Sequence, residues 1–449
     1  MIIVGAGVAG LFTAIELINQ GYPGKDILLL DKGNMLDKRK CFVSNNIPCK
    51  KCKVCSISNG VGGTGSFSDS KLNFDTTGKV GGDLYELFTE SEIANQLHQV
   101  YNIYRQFGLD EFKSKEYKPN IKIDIPGVEL GECLTIHLGT ENSRIVYQRM
   151  VDYLITNGVQ IKPNYEVKAI QKVNNTFIIN KHLMTDKVVL AMGRSGNKLM
   201  RDIAKELNLS MKTGNVDIGV RVETLNEYMS YLNNNFYEAK LYFESSFGDT
   251  TRVFCTNPGG IVSIESYDNK MYLANGHAYA NSKTNNTNFA LLVTRHFNED
   301  TPNPLEDYMY PIIQATNSLG KGQVIMQSLR DIKLKRRSTI ERINELDIKP
   351  TVKAYAGDIT SVLPYRTLVD ILEAIETLDK LAPGVNGDNT LLYAPEAKFH
   401  ANKVVIDKNC MSSVENLYCL GDSSGWTRGL TSAASMGIIC AKDILKRVD

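Results

Sequence analysis

The chain has no excess charge of either sign. Its 51 Lys and Arg face 50 Asp and Glu, a formal net charge of +1. No global field therefore recruits nucleic acid or an anionic membrane surface. No apolar run is long enough to cross a bilayer. There is no internal repeat and no long low-complexity tract; the Asn-rich patches at Asn233–Asn235 and Asn285–Asn288 read as surface loops. A nucleophile elbow, an HExxH helix and a convincing hydrolytic triad are all missing, so hydrolysis is not the expected chemistry. An export signal is not expected either, because residues 1–10 read as part of the fold. The nine cysteines then belong in a reducing cytoplasm, as thiols or ligands.

What is present begins at the first residue. Met1-Ile-Ile-Val4 reads as a buried strand that runs into Gly5-x-Gly7-x-x-Gly10, which opens an apolar helix from Leu11 to Leu17. A second apolar run, Ile27–Leu30, ends in Asp31. This is the dinucleotide-binding fingerprint in its required strand–turn–helix setting. Gly5 allows the tight turn, Gly7 lets a pyrophosphate reach the backbone, and Gly10 lets helix and strand pack closely. The helix N-terminus offers N–H groups to phosphate, and Asp31 can accept hydrogen bonds from a ribose. A glycine-rich turn that binds nothing is the alternative.

At 449 residues and 43% apolar, the chain suits a globular protein of two interleaved domains. Ile145, Met150, Val151 and Leu154 recur at helical spacing, and Gly158 stops that helix. Strands are expected at Val159–Ile161, Tyr165–Ile170 and Thr176–Ile179. Lys187–Arg194 reads as a buried strand closing on Ala191-Met192-Gly193. Near the C-terminus, Asn416–Asp422 is a third strand ending in an acid, followed by a small-residue helix from Leu430. That helix can aim its dipole at a pyrophosphate or a ring oxygen. Three distant strands thus converge on one elongated ligand.

At this point the chain resembles FAD-dependent oxidoreductases of the two-domain, glutathione-reductase-like class. More closely, it is similar to the family labelled NAD- or FAD-utilising dehydrogenases. The resemblance rests on Gly62–Leu72, Asp217–Glu223, Thr256–Gly260, Asn275-Gly276, Thr390–Glu396 and Gly421-Asp422 with its helix. It implies an α/β fold: a Rossmann-like FAD-binding domain with an inserted, mostly antiparallel β substrate domain. The expected boundaries are 1–214 for the first part of the FAD domain, with a Cys-containing flavin loop at 41–72, then 215–345 for the insert and 346–449 for the rest. Insert strands are expected at Gly219–Glu223, Ala239–Phe243, Val253–Thr256, Gly260–Glu265 and Tyr272–Asn275. An amphipathic helix is expected over 366–381, with Leu368, Ile371, Leu372, Ile375 and Leu378 inward. The expected cofactor set is Gly5, Gly7, Ala9, Gly10, Asp31, Lys32, Gly62, Gly63, Thr64, Gly65, Val167, Ala191, Gly193, Arg194, Gly421, Asp422, Gly429, Leu430 and Thr431.

Four further features carry chemistry. The loop Gly60–Asp69 can cradle phosphate through N–H groups and hydroxyls, or be a surface turn; Asp69 and Lys71 are candidate polar partners of a substrate. Cys41, Cys49, Cys52 and Cys55 fit an iron–sulfur cluster or a zinc ion, plain thiols, or a redox disulfide. His277 is a candidate general acid or base, or a structural histidine. The basic run Lys333–Arg337 reads mainly as a solvated face. The leading expectation is two-electron transfer between flavin and a small organic substrate. An FAD-dependent RNA-modifying enzyme, a flavin monooxygenase and a non-catalytic FAD-bound scaffold are the alternatives. No second Gly-rich βαβ unit occurs between residues 195 and 415, so NAD(P)H or an electron carrier is expected only as a transient partner.

Overall fold

The computed structural model describes residues 1–41, 52–68, 70–77, 80–112, 115–117, 123–131, 134–236, 239–267, 271–278, 283–297, 304–398 and 402–447. It divides into two compact units, Met1–Glu116 with Cys133–Lys212 and Ala401–Asp449, and Tyr117–Glu132 with Thr213–His400.

In the first unit Ile2–Val4 pairs in parallel with Leu28–Leu30 on one side and Val188–Leu190 on the other. Leu417–Cys419 extends one edge and Gln160–Lys162 the other, giving a five-stranded parallel sheet. The three central strands are short and wholly apolar, which suits a sheet buried on both faces, whereas the edge strand Gln160–Lys162 is polar and exposed. The helix Val8–Asn19 carries no β-branched run and no proline, and it buries Leu11, Phe12 and Ile15 completely. Each such side chain removed from water contributes about 1.5–3 kcal/mol. The C-terminal helix Leu430–Lys446 lies directly against it. A Cβ added at Gly437 would come within 2.5 Å of the Ala9 carbonyl oxygen, so two backbones touch where a glycine permits it.

The second unit is built on an eight-stranded sheet. Its order is Tyr355–Ala356, Ile325–Ser328, Thr390–Lys398, Val216–Leu225, Asn286–Arg295, Thr250–Pro258, Leu241–Glu244 and Val128–Leu130. All neighbours are antiparallel except the first pair. One face of the central strands presents Val220, Val222, Phe289 and Leu291 to a core shared with Ile371, Ile375 and Leu378 of the helix Tyr365–Leu378. A separate hairpin, Ile261–Tyr267 with Met271–His277, completes the unit.

The expected α/β fold class is therefore the observed one, with several differences, among them that Tyr117–Glu132, expected in the cofactor domain, belongs to the second unit. The segment 165–169 forms no strand, because the amides of Asn164 and Tyr165 donate to Gly33 and Asp31 instead of to a ladder. The segment 346–400, expected to rejoin the cofactor domain, lies in the second unit, because Thr390–Lys398 pairs along Val216–Leu225. The strand Asn286–Arg295 was not foreseen, since its Asn-Thr-Asn start reads as loop. No helix among the described residues is long and apolar enough to cross a membrane.

Candidate functional site

In the first unit the carboxyl ends of Ile2–Val4, Leu28–Leu30, Val188–Leu190 and Leu417–Cys419 lie in register. Open parallel sheets bind ligands at that edge. The glycines fit there for steric reasons. Gly5 has φ +102°, and a Cβ on it would meet the Ala191 carbonyl oxygen at 2.2 Å. A Cβ on Gly10 would meet the Gly5 carbonyl oxygen at 2.1 Å. Gly63, at φ +62°, brings its loop onto Gly7, where a Cβ would lie 2.8 Å from the Gly7 Cα. Gly421, at φ +68°, faces the Ala9 methyl. So Gly5, Gly7, Ala9, Gly10, Gly63, Ala191 and Gly421 form one contact group of bare backbone.

Two helices begin beside this group. Val8–Asn19 starts from Gly7 and Leu430–Lys446 from Gly429, and neither has a side-chain cap among the described residues. Their first N–H groups are the donors an anion would use. Asp31 is almost buried, and its two oxygens accept the amides of Ala6 (3.0 Å) and Gly33 (2.8 Å). Burial raises its pKa, against those two hydrogen bonds and the charge of Arg39. The carboxylate thus fixes the fingerprint turn. Its remaining lone pairs are what it could offer a ribose.

The loop around Gly60–Gly65 is organised by Arg39, which the sequence reading passed over. Its side chain is fully buried. Nη1 donates to the carbonyls of Val61 and Gly63 and to Ser66 Oγ, each at 2.8 Å. Nε donates to Ser56 and Nη2 to Ile57, both at 2.9 Å, and the guanidinium lies over Phe67. Burial lowers its pKa to about 10, still cationic at neutral pH. The loop's carbonyls therefore turn inward to one cation. Gly62 donates to Ala6, tying the loop to the fingerprint turn. Thr64 is exposed, whereas Gly65 is buried against Tyr147.

A second unforeseen element is the Gly81-Gly82-Asp83 turn. Its buried carboxylate pairs with Arg428 and with Lys403. Burial acts to raise the Asp83 pKa, but the bonds and charges of these two cations hold it below the ordinary value. That pins the stretch leading to Gly429. Asp422 accepts from Thr427 Oγ1 at 2.8 Å and from Arg194 Nε at 3.0 Å, so the ends of two strands share an ion pair. Gly193 (φ +64°) precedes Arg194. Lys32 is half-buried, and Val167 is buried in the segment tied to Asp31. Leu430 is half-buried, and Thr431 turns its hydroxyl to the Asn73 carbonyl at 2.5 Å.

The three candidate catalytic residues are described only in part. Lys71 is half-buried in Lys71–Phe74 of the first unit, opposite His137. His277 ends the Met271–His277 strand of the second unit, and its side chain lies outside the description. Asp69 lies outside the described residues. No metal centre is found: among the described residues, no group of three or more His, Cys, Asp or Glu is arranged around an ion. Cys52 and Cys55 are exposed and Cys41 is half-buried, while Cys49 lies outside the described residues.

The second unit holds a polar cluster of its own. Strand alternation puts Arg221 and Glu223 on the face opposite Val220 and Val222, beside Asn288 and Asn286 of the next strand. Arg221 is fully buried. Its Nε lies 3.0 Å from Glu396, its Nη1 donates to the Cys255 carbonyl and its Nη2 to Asn275 Oδ1. Glu223 accepts from Asn286, Thr351 and Tyr393. The segments Asp217–Glu223, Thr256–Gly260, Asn275-Gly276 and Thr390–Glu396, noted in the sequence as separate motifs, all contribute here or next to it. The one signal for Arg221 was a lone charge inside the apolar run Ile218-Gly-Val-Arg-Val.

Residues 215–399 match the family described as FAD-dependent protein, C-terminal domain-like. That match supports an FAD-dependent flavoprotein. A Clostridium beijerinckii relative, described as an uncharacterized protein, is 25% identical over 471 residues, covering 100% of this chain and 81% of its own. Among solved structures, CtdE in complex with FAD and a substrate is 14% identical, with 97% of this chain and 77% of that chain covered and a TM-score of 0.34. Halogenase PltM is 11% identical, covering 100% and 69%, with a TM-score of 0.41. Glycine oxidase from Geobacillus kaustophilus is 8% identical, covering 99% and 94%, with a TM-score of 0.39.

Proposed function

We propose that the protein is an FAD-dependent oxidoreductase moving two electrons between the flavin and a small organic substrate. The observation that carries this reading is the bare-backbone group at the sheet's carboxyl edge. Glycines there let strand, turn and loop backbones touch, and two uncapped helix N-termini adjoin the group. The fit is chemical as well as steric: backbone N–H groups suit phosphate oxygens, and Asp31 and Asp422 suit the hydroxyls of a ribose and a ribityl chain. Gly7, Gly63 and the first turn of Val8–Asn19 would hold the diphosphate. Ala191, Gly193, Gly421, Asp422, Gly429 and Leu430 would hold the flavin half.

When bound, the flavin supplies hydride or electron-pair exchange, and the protein supplies binding, orientation and electrostatics. Arg39 fixes the glycine loop, and Arg428 with Lys403 fixes the approach to Gly429. The single fingerprint leaves no second dinucleotide domain, so NAD(P)H or another carrier acts as a visitor rather than a resident. The basic run at Lys333–Arg337 does not favour an RNA substrate: Arg336 pairs with the buried Asp331. The test is the visible spectrum and the cofactor freed on denaturation. Yellow protein releasing FAD rather than FMN is expected, and Asp31→Ala weakens retention by about 1.5–3 kcal/mol, the scale of hydrogen bonds to a charged acceptor. Colourless protein that FAD cannot reconstitute removes the reading.

A further inference from the structure

The described thiols fall into two extremes. Cys410, Cys419 and Cys440 are wholly buried in the first unit. Burial pushes the Cys419 thiol up to about 12 and raises the other two as well. Such thiols stay protonated and sealed from reagents, so they are inert. Cys52 and Cys55 are the opposite case: both are exposed. They form a C-x-x-C pair, and the chain bends at Lys53 and Val54 between them. In a protein with a βαβ unit that spacing reads as a redox dithiol.

The pair is not on an arbitrary stretch of surface. The Cys55 carbonyl accepts the Asn59 amide at 3.0 Å and Asn59 Nδ2 at 3.2 Å. Asn59 Oδ1 in turn takes the Ser195 hydroxyl at 2.7 Å. Ser195 follows Arg194, whose Nε is bonded to Asp422 at the strand end. On the other side, Arg39 holds the carbonyls of Ser56 and Ile57 with the same guanidinium that holds Val61 and Gly63 of the glycine loop. One end of the C-x-x-C turn is thus fixed between the glycine loop and the Arg194–Asp422 pair, at the cofactor edge, while both sulfurs face solvent.

We propose that Cys52 and Cys55 are a reversible dithiol–disulfide couple whose external partner is a small disulfide. One cysteine thiolate attacks the external disulfide; that S–S bond breaks, one small thiol leaves and a mixed disulfide forms. The second cysteine attacks the protein sulfur of the mixed disulfide and releases the second small thiol. The protein pair loses two electrons and two protons, and the external disulfide gains both, ending as two thiols. A second thiol held so near in the chain acts at an effective concentration on the order of millimolar, so the mixed disulfide closes rather than accumulating. The couple deepens the redox reading by naming a partner class and rests on that reading for its use, but the exchange itself requires no flavin.

The experiment titrates reduced, desalted full-length protein with oxidised glutathione and reads intact mass, released glutathione and peptide maps. Two glutathione thiols released per chain, a bridged Cys52–Cys55 peptide and full reversal by dithiothreitol are expected. Cys49→Ser should leave the bridge unchanged. In that background Cys52→Ser and Cys55→Ser should each stop at a stable glutathione adduct on the remaining cysteine, an adduct that the pair does not accumulate. Separate adducts on both thiols without a bridge overturn the couple, as does a bridge that Cys49→Ser abolishes. Colourless protein that still forms the bridge keeps the couple and removes the redox reading; yellow protein that forms none does the reverse.

Discussion

The two units solve opposite problems with opposite materials. The cofactor edge of the first unit is made of absent side chains: its contacts are backbone on backbone, and its donors are amides that every residue but proline owns. The cluster of the second unit is made of side chains, with a guanidinium, a carboxylate and three amides set inside a sheet that is covered on both faces. The first site tolerates little steric change at its glycines, and its buried charges, Asp31 and Arg39, are bound by backbone groups. Side-chain sites have room to vary in shape, yet each charge relies on its partner. The two should therefore fail differently, and that difference can be measured.

The largest effect belongs to the second unit. Arg221→Met leaves Glu396 buried without its nearest cation, and breaking a buried pair on one side costs about 3–5 kcal/mol. The double variant Arg221→Met with Glu396→Met removes both charges and should regain most of that loss in urea denaturation. If the double variant is as unstable as the single one, the charges are not what the sheet depends on. The contrast between the units would then lose its basis.

Next comes a test inside the first unit, where side-chain charge reappears at Asp83. Its folded pKa lies below the ordinary carboxylate value because Arg428 and Lys403 outweigh burial. A depressed acid stabilises the fold above its unfolded pKa, and that contribution is lost as pH falls through the folded value. Asp83→Asn should thus cost about 1.5–3 kcal/mol near neutrality, the scale of charged hydrogen bonds. The gap to wild type should begin to close below about pH 4, the unfolded carboxylate range, and vanish only below the lower folded value. Asp31 carries the other sign. Burial raises its pKa, so its ionised form opposes folding above the unfolded value and the opposition eases on acidification. Urea midpoints between neutrality and pH 3 separate the two.

A pure backbone lesion follows. Gly10→Ala pushes a methyl to within 2.1 Å of the Gly5 carbonyl, and overpacking of this kind costs about 1–3 kcal/mol. FAD retention should fall by more than stability does, because the displaced residue is Gly5 of the fingerprint turn. Equal losses in both would mean that Gly10 serves only the helix–strand contact.

The sequence and the structure agree where periodicity or glycine spacing carries the information. The fingerprint turn, Thr176–Ile179 and the helix over Tyr365–Leu378 were legible because each follows from local chemistry. Arg39 was not legible, since nothing in Asp37-Lys-Arg-Lys40 separates a guanidinium facing five backbone carbonyls and a hydroxyl from one facing water. Glu396 could be seen in a motif but not given a partner, because Arg221 lies far away in sequence and meets it only through strand pairing. The 346–400 boundary failed for the same reason: Thr390–Lys398 is a buried strand whose sheet is set by long-range register.

The smallest effect probes an exposed ion pair at the cofactor edge. Arg194 is 51% exposed and Asp422 20%, with Nε and Oδ2 3.0 Å apart. Pairs this open contribute under about 1 kcal/mol, because water and salt screen them and the long side chain loses entropy. Arg194→Ala should therefore leave the thermal midpoint nearly unchanged. Its effect on the flavin should be larger, because Asp422 is then held by Thr427 without the guanidinium and is freer to turn from the strand end. A rise in FAD dissociation rate with an unchanged midpoint would assign the pair to cofactor orientation. An equal drop in both would return Arg194 to the fold, and the first unit would then owe more to side-chain charge than its glycines suggest.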